Sequence, residues 1–420
     1  MKSKVLRTGA VQWSRPEVVL FLADPRHYPH RPRTVQILET HFAWIFLAGE
    51  RVYKLKKPLR QASMDYRTLA LRRRACRAEL DLNTRLAPTV YRRIVPLRRT
   101  RGGALTLRAG AGRIVDWLVQ MRRLPAARLL DQAIGAHRVS DRDLDHVMIR
   151  LGAFFRRATR EPMSDRAYRR ELAGQIRACA RELQSADLAL DPVRVRGVIG
   201  LQLEWLARHG RVLSGRGRTL RDGHGDLRPE HVFLGAAGHP ACVIDCLEFD
   251  PRLRRLDPAE EMAFLALECA RLGAARLGRD LLERYAESLQ DRIPPAVWAF
   301  YMSRRALVRA QIAAWHLRDP EFSGQSRRWR LRAHSYLADA SRLILRAHAL
   351  MSYADSDRTG RPRGATLRLR PASARAEGRP APRRASGAAS DRTAARWAAR
   401  TADCPRPAGA RSAASLRRCR

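Results

Sequence analysis

His224-Gly225-Asp226 opens a short stretch that gathers carboxylates and imidazoles. His231 follows five residues after Asp226, and the apolar run Val232-Phe233-Leu234 comes next. A Gly/Ala turn then leads into a second apolar run, Ala241–Ile244, which ends on Asp245 with Glu248 just beyond. Two short apolar runs joined by a glycine-containing turn predict a β-hairpin. An acid before the first strand and another at the end of the second would lie near each other. Nearby carboxylates repel unless a cation or a transferable proton sits between them. Phosphoryl transfer needs such a pair, one carboxylate orienting a hydroxyl and the other holding Mg²⁺ against ATP phosphates. The competing reading is two solvated acids flanking an ordinary hairpin. Residues upstream decide between the two.

The stretch resembles the catalytic loop of the aminoglycoside phosphotransferase and choline-kinase family. Protein kinases carry H-R-D-x-x-x-x-N followed by D-F-G, whereas this family carries H-G-D and an I-D strand end. Here His224-Gly225-Asp226, His231 in the asparagine position and Ile244-Asp245 keep that spacing. The departure is His231. The resemblance implies transfer of phosphate from ATP to a small-molecule hydroxyl, with Asp226 orienting the acceptor and taking its proton. It implies that Asp245 holds Mg²⁺. His231 is either a second metal ligand, in which case its softer nitrogen favours Mn²⁺, or a residue that hydrogen-bonds the loop.

Only five of the 82 basic residues are lysines, and three of these fall in Val52-Tyr53-Lys54-Leu55-Lys56-Lys57. A chain so biased towards arginine places a compact ammonium there for a reason. Strand alternation puts Val52, Lys54 and Lys56 on one face and Tyr53 and Leu55 on the other. In the resembled family a lysine on the inner face pairs the ATP phosphates; Lys54 is the first candidate and Lys56 the second. A basic edge strand guarding against aggregation is the alternative. Leu69–Leu86 has helical spacing, and its Glu79 is the candidate partner of the lysine. Pairing of Glu79 with Arg72 or Arg85 along its own helix is the other possibility. Thr40-His41-Phe42 stands where a glycine-rich phosphate loop would be expected. Arg122–Pro125 reads as a hinge, and the resemblance implies that adenine meets backbone groups near Met121 and Leu124.

The elements that must position these residues follow from periodicity and breakers. A short helix is predicted over Glu17–Ala23, with strands over Thr34–Glu39, Phe42–Leu47, Arg51–Lys56, Val90–Leu97, Leu105–Leu107 and Ile114–Met121. Helices are predicted over Ala127–Ile134, Asp141–Thr159, Asp165–Ser185, Val193–His209, Pro258–Leu272, Leu277–Asp291, Pro295–Leu317 and Ser326–Leu350. Asp257 reads as a helix N-cap, and Glu261-Met262-Ala263 as a structural element. The expected fold class is α+β: a two-lobed protein-kinase-like fold with a small antiparallel β-sheet N-lobe (1–121) and a mainly helical C-lobe (122–351). Residues 352–420, with 17 arginines against five acids, are expected to be a disordered tail. They read as a neutral extension before they read as a non-specific nucleic-acid contact.

Composition narrows the rest. The formal charge of +41 reflects arginine usage across the chain, and an aromatic content of 6% without basic interleaving argues against a base-stacking surface. Seven scattered cysteines do not form a disulfide framework. Residues 1–14 read as a frayed leader without the apolar core of a secretion signal, and no run reaches the ~18 apolar residues of a membrane span. The expected location is cytoplasmic, and the expected partners are ATP and a small-molecule acceptor. Relatives with the same strand and loop often carry a second, P-loop kinase domain; no lysine follows Lys57, so that motif is absent here. A catalytically weak nucleotide-binding regulator is the alternative function, and a basic nucleic-acid-binding protein a third.

Overall fold

Short runs of β-branched and aromatic residues build the first lobe. The computed structural model describes residues 16–359, apart from 62–63, 111, 186–187, 189 and 319–323. Helix α1 (Pro16–Ala23) precedes β1 (Val35–Glu39), β2 (Ala43–Ala48) and β3 (Arg51–Lys56). A two-rung hairpin, β4 (Arg60–Gln61) with β5 (Met64–Asp65), leads into α2 (Leu69–Thr84). The side chain of Thr68 caps α2 by accepting the Leu71 N–H at 3.2 Å. Strands β6 (Tyr91–Arg99), β7 (Leu105–Thr106) and β8 (Arg113–Arg122) complete an antiparallel sheet of order β1-β2-β3-β8-β6-β7. Last in the chain, β8 is central in space, paired with both β3 and β6.

The two faces of β3 have different neighbours, as alternation requires. Tyr53 and Leu55 pack with Trp44, Phe46, Leu97 and Leu118 against Val18, Val19 and Leu22 of α1. Burial of each such large side chain contributes roughly 1.5–3 kcal/mol. On the opposite face Cys76 and Leu80 of α2 pack against Tyr91 and Val119. Lys54 and Lys56 therefore point towards α2.

The second lobe consists of α3 (Leu130–Gly135), α4 (Asp141–Arg157), α5 (Asp165–Leu183), α6 (Pro192–His209), α7 (Pro258–Arg271), α8 (Ala275–Leu289), α9 (Pro295–Trp315) and α10 (Ser326–Thr359). Between α6 and α7 the chain forms β9 (Arg221–Asp222), β10 (Val232–Phe233), β11 (Cys242–Val243) and β12 (Arg255–Leu256). The expected hairpin is β10 with β11, only two rungs long. Trp205 of α6 stacks on Phe300 of α9, ring centroids 4.2 Å apart, in one continuous core. Asp257 caps α7 through the Ala259 N–H. No helix among the described residues is long and apolar enough to cross a membrane.

One boundary needs correction. Helix α10 runs to Thr359, so residues 352–359 are helical and not part of a disordered tail. The segment holds neither glycine nor proline, and the first breakers are Gly360 and Pro362. The expected leader at 1–14 and the remainder of the expected tail lie outside the described residues.

Candidate active site

Strand β3, helix α2 and the segment after β11 bring four of the predicted residues together. The Lys54 ammonium lies 2.9 Å from Glu79 Oε1 and 2.8 Å from Asp245 Oδ1. Two residues along the strand, Lys56 takes the other Glu79 oxygen at 2.7 Å and also contacts Glu248. Glu248 in turn accepts the Tyr66 hydroxyl at 2.9 Å. One buried carboxylate thus joins two ammonium groups, that of Lys56 buried and that of Lys54 partly exposed. Glu79 is available to them because Arg72 is engaged by Asp116 and Arg85 by Asp222, each at 2.8 Å. The intrahelical pairing considered for Glu79 does not occur. Burial opposes charge on all three groups, yet the opposite charges prevail: both lysines sit well above their ordinary pKa, and Glu79 below its own.

Asp245 occupies left-handed backbone, with φ of 64°, and its N–H meets the Tyr91 hydroxyl at 3.2 Å. Asn83 Oδ1 accepts the next N–H, that of Cys246, at 2.9 Å. These anchors come from the first lobe and fix where the carboxylate points. Burial would raise the Asp245 pKa, but Lys54 and then His231 hold it far below the carboxylate range. Its side chain remains 47% exposed.

The His224-Gly225-Asp226 loop hangs on the N-terminus of α7. Glu261 accepts the His224 N–H at 2.9 Å and also the Gly225 N–H; that is the structural role expected of its motif. A Cβ at Gly223 would meet Glu261 Oε2 at 2.4 Å, so only glycine admits this clamp. His224 links the two acidic segments: its Nε2 donates to the Ile244 carbonyl at 2.9 Å, and its Nδ1 accepts the Asp226 N–H at 3.2 Å. His231 Nδ1 donates to the Asp226 carbonyl at 2.8 Å, which leaves Nε2 to accept from Arg228 at 3.3 Å. The same imidazole stands 3.7 Å from Asp226 Oδ2 and 3.6 Å from Asp245 Oδ2. The two aspartates therefore flank one ring. Arg228 reaches Asp226 Oδ2 at 2.9 Å. Against the effect of burial, Arg228 and then His231 hold the Asp226 pKa far below its ordinary value.

Buried His224 is a neutral linker, and its titration is a prediction. Burial, with His231 nearby, lowers its pKa from 6.5 to about 4. As pH falls, the unfolded chain takes up this proton near 6.5, whereas the folded state resists until about 4. The contribution of His224 to stability is therefore complete above 6.5 and is lost between 6.5 and 4. The loss amounts to roughly 3 kcal/mol. Unfolding free energies measured across this range for wild type and His224→Gln should converge by about that amount as pH falls. Parallel curves would contradict a neutral, buried His224.

A cation here would find a small donor set. Among the described residues no three or more His, Cys, Asp or Glu side chains form a metal cluster. Asp245 offers an exposed oxygen beside His231 Nε2, and phosphates and water would have to complete the shell. Mg²⁺ is commonly bound in that way, through one or two carboxylates and substrate phosphates.

Met121 and Leu124 border an apolar cluster that includes Val119, Phe233 and Ile244. The hinge N–H groups of Arg122 and Arg123 bond the carbonyls of Val90 and Glu50 at 2.8 and 2.9 Å. The turn Thr40-His41-Phe42 reaches the second lobe, the His41 ring lying 6.0 Å from that of His316, which follows α9. Sequence reasoning assigned no role to Glu248, Arg228 or Asn83. Two lysines on one strand face call for more acid than Glu79 supplies, a signal that a second carboxylate must come from elsewhere in the chain.

No family model matches the chain. Uncharacterized proteins of Mycobacterium bovis and Mycobacterium tuberculosis are each 33% identical over 288 residues, covering 66% of this chain and 54% of theirs. The chain thus spans about half the length of these curated relatives. Among solved structures, a choline/ethanolamine kinase family protein from Mesorhizobium loti is 14% identical, with a TM-score of 0.45 over 80% of this chain and 98% of that one. A glucosamine kinase is 16% identical, with a TM-score of 0.40 over 74% of this chain and 76% of its own. A thermostable mutant of aminoglycoside phosphotransferase APH(4)-Ia, in ternary complex with AMP-PNP and hygromycin B, is 14% identical. Its TM-score is 0.43, over 78% of this chain and 98% of that one. With an antiparallel sheet that brings its strand lysines and Glu79 to the Asp245 side of a helical lobe, the chain has a two-lobed protein-kinase-like fold.

Proposed function

We propose that the chain is a phosphotransferase that moves the γ-phosphoryl group of ATP to a hydroxyl of a small molecule. The observation that carries this reading is the placement of Lys54 between Glu79 and Asp245, at 2.9 and 2.8 Å. Glu79 holds the ammonium in position to meet phosphate charge, and Lys56 with Glu248 holds Glu79. Asp245 and water would hold Mg²⁺, which would offset the charge of the transferring phosphates. Adenine meets the hinge near Met121 and Leu124, beside the apolar cluster around Phe233. Asp226 orients the acceptor hydroxyl. The acceptor oxygen bonds to the γ-phosphorus as the β–γ bridging bond breaks; its proton passes to Asp226 and ADP leaves. A carboxylate of low basicity suits a loose transition state, in which positioning matters more than proton abstraction. The test is phosphotransfer from ATP with Mg²⁺ and with Mn²⁺ across a panel of hydroxyl compounds. Absence of both ATP binding and turnover would overturn the proposal.

The metal preference distinguishes the two readings of His231. Its Nδ1 bonds the Asp226 carbonyl and its Nε2 accepts from Arg228, which supports a loop-holding role. The expected result is a Mg²⁺ preference in wild type that persists in His231→Asn. A Mn²⁺ preference in wild type that switches to Mg²⁺ in the variant would make His231 a ligand.

A further inference from the structure

One turn along α9 from Arg305, which donates to the Gly225 carbonyl at 2.9 Å, stands a loosely held cation, its guanidinium 5.7 Å from the Tyr336 ring centroid. Arg309 of α9 has a side chain only 11% exposed, and its ion-pair contact among the described residues is Glu268 at 4.0 Å. Its Nε has no hydrogen-bond partner there. Glu268 already accepts the Tyr336 hydroxyl on both oxygens, at 2.9 and 3.0 Å. A guanidinium carries five N–H donors in a fixed fork, and a largely buried charge without a close partner is costly to keep. Arg228 repeats the pattern: it is 6% exposed, and its buried Nε is also without a partner among the described residues. Its two other nitrogens serve Asp226, Glu230 and His231. The carboxylates here are matched, Glu230 by Arg228 and Glu268 by Tyr336. Arg309 also acts on Asp226, adding to the charges that depress its pKa.

A cationic acceptor would meet the Arg309 guanidinium and carboxylates that are already engaged. An acceptor with its own acid group would meet the complement. Resting on the phosphotransferase reading, we infer that the acceptor is a hydroxyl compound bearing a carboxylate or phosphate, and that Arg309 binds that group. The guanidinium fork suits either anion, because both present two oxygens at matching spacing.

The experiment measures ATP binding to the full chain first, and then Mg²⁺-dependent phosphotransfer to four acceptors. Gluconate supplies a carboxylate, glucose 6-phosphate a phosphate, glucose no charge, and choline a cation. The expected result is a kcat/KM at least about tenfold higher for one of the two acids than for glucose or choline, consistent with a charged hydrogen bond. The acid that responds identifies the anion. Arg309→Gln should remove that preference, with the loss in KM for the acceptor and not in KM for ATP, and Arg309→Lys should restore part of it. Preference for glucose or choline overturns the inference, as does an acid preference that survives Arg309→Gln or a variant defect confined to ATP. ATP binding without transfer to either acid also overturns it. Absence of ATP binding removes the phosphotransferase reading itself.

Discussion

Asp245→Asn is expected to lower metal-dependent ATP turnover by about a thousandfold or more, while the protein stays folded. A metal ion supplies several kcal/mol of charge stabilisation in such transfers, and each ~1.4 kcal/mol is a factor of ten in rate. Asp245 is the exposed carboxylate beside Lys54, so its charge is what the site presents to a cation. The substitution is gentle on the backbone. Residue 245 sits at φ of 64°, a region that asparagine tolerates and most side chains do not. The N–H bond to Tyr91 remains, and Lys54 keeps Glu79. With its partner half exposed, the Lys54–Asp245 pair contributes at most about 1 kcal/mol to stability. Thermal melting and turnover measured on one preparation check both halves. Near-wild-type turnover in a folded variant would remove Asp245 from the mechanism.

The largest expected loss of stability lies away from the reaction. Arg216→Met should lower the unfolding free energy by roughly 3–5 kcal/mol, because it breaks a buried pair from one side only. Arg216 Nε donates to Asp257 Oδ2 at 2.7 Å, and its Nη1 to Asp291 Oδ1 at 2.7 Å. Asp257 is 0% exposed; it also accepts the Tyr301 hydroxyl at 2.8 Å and caps α7. Tyr285 meets Asp291 at 2.7 Å. Without the guanidinium, Asp257 becomes a buried anion with neutral donors only. Removing the charge on both sides, in Arg216→Met with Asp257→Asn, should recover part of the loss. Urea denaturation of wild type and the two variants measures it, and a single-variant loss under about 1 kcal/mol would show a solvated pair of surface strength.

Much of this architecture was legible because local signals agreed with the tertiary fold. Strand β3 was readable from alternation, since one face packs on α1 and the other on α2. Helix α2 and Glu79 were readable from period and from the scarcity of acids among arginines. The choice between Lys54 and Lys56 was not legible. Both lie on one face, and only the fold sets Lys54 against Asp245 and Lys56 against Glu248. Arg228 was hidden for another reason: in a chain so rich in arginine, one more beside Asp226 carries no compositional signal. The left-handed backbone at Asp245 was equally invisible, because it arises from long-range anchors to Tyr91 and Asn83. Helix α10 overran its expected end because a composition rich in Arg, Ala, Pro, Gly and Ser with little periodicity suggested disorder from 352, although no breaker occurs before Gly360.

The most direct measurement of the central claim follows the radiolabelled γ-phosphate of ATP in the presence of Mg²⁺ and a pool of small hydroxyl compounds. Wild type is expected to move label onto a small molecule, and Asp226→Asn to bind ATP but to transfer label at least about a hundredfold more slowly. Label that stays on ATP with wild type, or that moves equally well with Asp226→Asn, would contradict the account.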